Sequence, residues 1–109
     1  MRNKAFHEDD YTFAYLDKND VPVLCNHARF MEWWNSKPRW QIKTDVLHGW
    51  EVMTTFDGMS IDPDGPPLFF EVSFNNFQKG SSGQLRFGTK ETAIAFHDQV
   101  IQWIKGGKI

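Results

Sequence analysis

The residues able to do chemistry in this chain are few and scattered. Histidines stand at positions 7, 27, 48 and 97, with no two at the spacing by which a helix presents paired metal ligands, so a zinc-protease or nuclease signature is absent. Cys25 is the single cysteine and has no neighbouring motif of a nucleophile; it reads as a small buried residue. Gly80, Gly83 and Gly88 do not join a strand to a helix as a phosphate loop requires. Asp57, Asp62 and Asp64 gather around a Gly-Pro segment, and hard oxygen ligands at such spacing suit calcium. That run lacks the glycine and terminal glutamate of a calcium loop, and aspartate also starts turns by bonding its own backbone. A simple turn is the favoured reading. His97 could serve as a ligand or general base, but only with a second polar group beside it; otherwise it is a half-buried histidine bonded to a backbone carbonyl or a glutamate. No catalytic, cofactor or metal site is assigned.

The 109 residues fit one domain, expected over residues 11–109, with residues 1–10 loosely attached. A chain of this size buries roughly 65% of its unfolded surface, enough for one core without disulfides or metal. Twelve basic and fourteen acidic residues give a net charge of −2 spread along the chain, unlike a nucleic-acid footprint. No apolar run approaches the roughly 18 residues of a membrane span, so a cytoplasmic protein is expected, with neither nucleic acid nor membrane as partner. Aromatics stand out at 16% of residues. Core packing accounts for some of the tryptophans at 33, 34, 40, 50 and 103, but adjacent Trp33 and Trp34 cannot both face inward on a helix, where neighbours diverge by roughly 100°. One of them, with Trp40, is expected in a partner interface.

The elements that must position these groups follow from periodicity. Residues 11–16 alternate and end in Asp17-Lys18-Asn19-Asp20, a strand and a turn. Asn26 can cap a helix over residues 27–34, with Phe30, Met31, Trp33 and Trp34 on one side. Residues 40–46 and 50–56 alternate with the same even parity around Leu47-His48-Gly49, a hairpin. Residues 57–67 are rich in proline and glycine and read as a loop. Strands follow at 68–75, with Glu71 on the face opposite Phe70, Val72 and Phe74, and at 84–87. The last helix opens at Thr89, closes at Lys105-Gly106-Gly107, and carries Ala93, Ile94, His97, Val100, Ile101 and Ile104 at helical spacing. The expected fold is α+β: an antiparallel sheet of about five strands, with the C-terminal helix and the short first helix packed on it.

Three strings then resemble a recurring pattern: Val52-Met53-Thr54-Thr55-Phe56-Asp57-Gly58, Gly65-Pro66-Pro67-Leu68-Phe69-Phe70-Glu71-Val72, and residues 87–97 from Phe87-Gly88-Thr89 to Ala95-Phe96-His97. With Tyr15-Leu16-Asp17-Lys18, Val21-Pro22-Val23 and Met31-Glu32-Trp33 upstream, they are similar to a family of small uncharacterised proteins encoded by bacteriophages and prophages. Two positions depart from it: Asp57, where the pattern has an apolar residue, and Phe96, where a glycine precedes the histidine. The resemblance implies a phage origin and a fold, and no mechanism. It also implies that Glu71 lies on a strand adjacent to the helix bearing His97, which makes a His97–Glu71 pair the best polar site; the opposite parity of Glu71 argues against their meeting. The expected function is an accessory protein that binds a host or phage protein, for example a defence or regulatory factor. A virion or assembly component that oligomerises through sheet edges, and a small-molecule binder or hydrolase using His97, are the alternatives.

Overall fold

The computed structural model describes residues 10–61 and 65–109. Among them are two helices and seven strands in two antiparallel sheets, so the α+β class holds while the strand number exceeds the expected five. The smaller sheet pairs β1 (Thr12–Leu16) with β2 (Pro22–Cys25) on one side and β5 (Met59–Ser60) on the other. The Asp17 carboxylate makes the first turn by accepting from the amides of Asn19 and Val21 at 2.7 and 3.0 Å. β2 and β5 are too short to show alternation, and β5 lies inside the segment read as a loop.

The larger sheet runs β3 (Gln41–Leu47), β4 (Trp50–Phe56), β6 (Phe70–Asn76), β7 (Ser81–Phe87). The β3–β4 hairpin turns on His48 and Gly49, both at positive φ, as a two-residue connection between right-twisted strands requires. α2 (Lys90–Lys105) is capped by Thr89, whose hydroxyl accepts from the Thr92 amide. It lays Ala93, His97, Val100 and Ile104 on Trp50, Val52, Thr54 and Phe56 of β4 and on Phe70 and Val72 of β6, all buried. On β3 the expected parity is reversed. Asp45 and Leu47 pair with Val52 and Trp50 and share the helix-covered face, while Thr44 and Val46 point outward. A register shift between Gln41 and Lys43 re-aims the strand there, and Ile42 reaches the core despite sharing their parity.

α1 (His27–Asn35) does not lie on the large sheet. Asn26 caps it, accepting from the Arg29 amide at 2.8 Å, and the helix packs on β1 instead. Phe30 meets Phe13 at 5.5 Å between ring centres, and the Arg29 guanidinium stands 4.1 Å above the Tyr15 ring. Trp33 then reaches across to the large sheet, its ring edge-on to Phe56 at 5.6 Å.

The two sheets join at Gly58. Its carbonyl accepts from the Ala14 amide at 2.9 Å, and its φ of +73° suits glycine. A Cβ there would lie 2.4 Å from the Phe30 ring and 2.8 Å from the Ala14 carbonyl oxygen. Gly58→Ala is therefore expected to cost about 2 kcal/mol or more, against about 1 kcal/mol for Gly80→Ala, whose φ is also positive but whose Cβ would meet open space. Urea midpoints of the two variants check the difference.

Candidate functional site

A concavity lies where α1, the chain leading into β3, and the ends of β4 and β7 converge. It is a cleft of about 370 Å³ lined by Tyr11, Trp34, Trp40, Phe56, Asp57, Met59, Ile61 and Arg86. Its aromatic wall is made by local geometry. The Ser36 amide bonds back to the Trp33 carbonyl and the Lys37 amide to that of Trp34, closing α1; Lys37 at φ +54° then turns the chain so that Trp40 returns beside Trp34. The Trp40 carbonyl accepts from the Phe56 amide at 2.8 Å, which ties this return to the end of β4. The two indoles lie 6.4 Å apart and remain 41% and 39% exposed. A second cleft, lined by Lys37 and Pro38, shares the same two tryptophans.

The polar floor is built by strand register. Thr55 of β4, Glu71 of β6 and Arg86 of β7 are direct cross-strand neighbours on the face away from α2. Asp57, just past β4, accepts from the Arg86 guanidinium at 2.6 Å and from the Thr55 hydroxyl at 3.3 Å. The same Arg86 nitrogen, Nη2, also donates to the Met59 carbonyl at 3.1 Å, and the buried Nε finds no partner among the described residues. Burial pushes the Asp57 carboxyl above its ordinary range, outweighing the attraction of Arg86 and the bond from Thr55. Burial likewise raises Glu71, with the neighbouring Asp57 charge adding to it and Arg86 opposing.

Of the residues singled out by sequence, Trp34, Trp40 and Asp57 therefore meet in one cleft, with Glu71 beside its Arg86. Trp33 is instead packed against the core. Asp62 and Asp64, and most of the 1–10 segment, lie outside the described residues. His97 belongs to the other side of the sheet, and the His97–Glu71 pair does not form because β6 turns Glu71 away from the helix-covered face. The partners of His97 are Asp45 and Thr54. Nε2 lies 2.7 Å from the Asp45 carboxylate and Nδ1 2.7 Å from the Thr54 hydroxyl. A carboxylate only accepts, so Nε2–H donates to Asp45, and in the neutral ring Nδ1 accepts from the Thr54 O–H. With the residue 0% exposed and both nitrogens engaged, the imidazole presents no atom to a substrate.

Sequence reasoning missed Arg86, Tyr11, Asp45 and Thr54. Arg86 sits between Leu85 and Phe87 in a strand that alternates, which marks it as facing away from them, but only pairing with Glu71 and the approach of Asp57 reveal its role. Comparison of the chain with known protein families, with curated proteins and with solved structures returns no match.

Two measurements check this geometry. Thr54→Val strands the buried Nδ1 and is expected to cost about 1–3 kcal/mol in chemical denaturation, whereas Asp45→Asn keeps an acceptor for Nε2–H and should cost less. The folded-state carboxyl of Glu71 is raised, so its contribution to stability is present below the unfolded glutamate range near about pH 4 and is lost as pH rises through the folded value. Glu71→Gln should therefore raise the melting temperature relative to wild type at neutral pH, with the advantage vanishing in acid. A variant equally or less stable than wild type at pH 7 contradicts that assignment.

Proposed function

We propose that the protein is a binding module, encoded by a phage or prophage and acting in the bacterial cytoplasm, that docks a host or phage protein at the Trp34–Trp40 cleft. The observation carrying this reading is the pair of adjoining, half-exposed tryptophans converging with Tyr11, Met59 and Arg86 on one concavity. These residue types supply most of the energy in protein interfaces, because they cover large apolar area and still offer a polar edge. A phage origin is supported by the sequence strings that resemble such proteins. That no helix among the described residues is long and apolar enough to cross a membrane agrees with a cytoplasmic setting.

Tagged protein incubated with host lysate, followed by quantitative mass spectrometry, tests the reading. Trp34→Ala and Trp40→Ala are each expected to reduce recovery of the captured partner by about tenfold or more, while leaving the melting temperature close to that of wild type. Trp33→Ala should instead lower the melting temperature, since Trp33 packs on Phe56. Undiminished capture by the Trp34/Trp40 double variant would reject this surface.

A further inference from the structure

An open strand edge carries unpaired N–H and C=O groups that template another strand, and soluble proteins blunt such edges with short strands, proline, charge or bulges. Of the four sheet edges among the described residues, three are blunted. β2 opens on Pro22 and spans four residues, and β5 spans two. β3 has the register shift between Gln41 and Lys43, and it turns Lys43 and Asp45 toward Asp98 and His97 of α2. The Arg39 guanidinium also occupies its Gln41 and Ile42 carbonyls. β7 has none of these devices. It spans seven residues and pairs, among the described residues, with β6 alone. Its one charged side chain, Arg86, faces away from α2 and is bound to Asp57. Its Ser81 half lies at the end of the sheet away from Asp57, since Phe87 is the residue opposite Phe70 and so nearest Phe56.

The flank of α2 beside this edge is apolar. Leu85 and Phe87 stand opposite Val72 and Phe70, on the helix-covered face, and Leu85 is 51% exposed. Phe87 meets Phe96 and Phe96 meets Trp103, and all three rings are only partly buried. Thr92 and Gln99, at matching helical spacing, are uncharged. Asp98 and Lys105 of the same helix lie on its other flank, with Lys43 and Asp45 of β3.

We infer that β7 is the seam of a homodimer, in which a second copy pairs antiparallel with it about a two-fold axis near Leu85. Such an axis joins the two four-stranded sheets into one and keeps both α2 helices on the same face. Leu85 then lies beside its own copy, Arg86 falls opposite the neutral Gln84, and the two aromatic bands meet across the seam. This self-match singles out a second copy. A strand whose single charge is already neutralised sets no like charges against itself, and an aromatic-rich, charge-poor flank has the composition of an interface core. The inference stands apart from the Trp34–Trp40 reading.

Sedimentation equilibrium tests it. The wild type should dimerise in the micromolar range. Leu85→Lys and Leu85→Glu each set like charges across the axis and should weaken the dimer about tenfold or more. An equimolar mixture of these two variants should form a heterodimer again. Val46→Lys, at an apolar position of β3 that is 72% exposed, should leave dimerisation unchanged. Circular dichroism at a dilution where all are monomeric should show each variant folded. A wild type that stays monomeric to millimolar concentration overturns the inference, as does a dimer that both Leu85 variants retain. Variants that dissociate but fail to pair with each other overturn the two-fold seam. A monomeric wild type that loses its captured lysate partner on Leu85→Lys gives the edge to a foreign strand and overturns the second copy.

Discussion

A fully buried imidazole must have both ring nitrogens satisfied, and this requirement at His97 organises the large sheet. Its two partners come from neighbouring strands, Asp45 from β3 and Thr54 from β4, so the helix position and the β3–β4 register have to be right together for either bond to form. Around that polar centre the packing is apolar: Ala93, Val100 and Ile104 against Trp50, Val52, Phe56, Phe70 and Val72. A slip of one residue in β3 would carry Asp45 to the far face and take the carboxylate away from Nε2 of a fully buried ring. The hydrogen-bonded triad thus contributes specificity of register as well as stability.

Because α2 occupies one face, every residue of opposite parity is assigned to the other. That is why Thr55, Glu71 and Arg86 form a row, and why the row ends at Asp57 beneath the tryptophans. The cleft is the meeting place of two constructions: an open polar sheet face, and a small sheet with α1 whose last turn swings Trp34 and Trp40 over its end. Gly58 is the joint between them, and the close approach of Phe30 and the Ala14 carbonyl shows how little room that joint leaves. In the cleft a carboxylate is held partly out of water beside a guanidinium, under exposed indoles.

Asp57 and Phe96, the two positions that depart from the recurring sequence pattern, fall in different surroundings. Phe96 completes an aromatic cluster, 5.4 Å from Phe87, 6.3 Å from Phe74 and edge-on to Trp103 at 5.8 Å, and fills the edge of the core beside α2. Phe74 in turn lies over Gly83, where a Cβ would come within 2.4 Å of its ring. Asp57 instead becomes the central polar group of the cleft. One departure lies in the packing beside the core, and the other in the polar floor of the cleft.

The local rules of the chain were legible without a structure. Asn26 and Thr89 cap helices because their side chains reach amides within their own first turn, and the α2 stripe and the parities of β4 and β6 follow from spacing alone. That one of Trp33 and Trp34 must turn outward was within reach too, since neighbours on a helix cannot share a face; that it is Trp34, and that it meets Trp40, was not. What spacing could not carry were relations between distant segments. β2 and β5 are strands because β1 pairs with them, and β3 presents its odd residues inward because a register shift and the demand of His97 override an alternation that looked the other way. The partners of His97 lie 43 and 52 residues away in sequence, and those of Asp57 include Arg86 at 29. Only closure of the sheet decides such pairs, because a charged side chain's environment is set by what packs beside it and not by its neighbours along the chain.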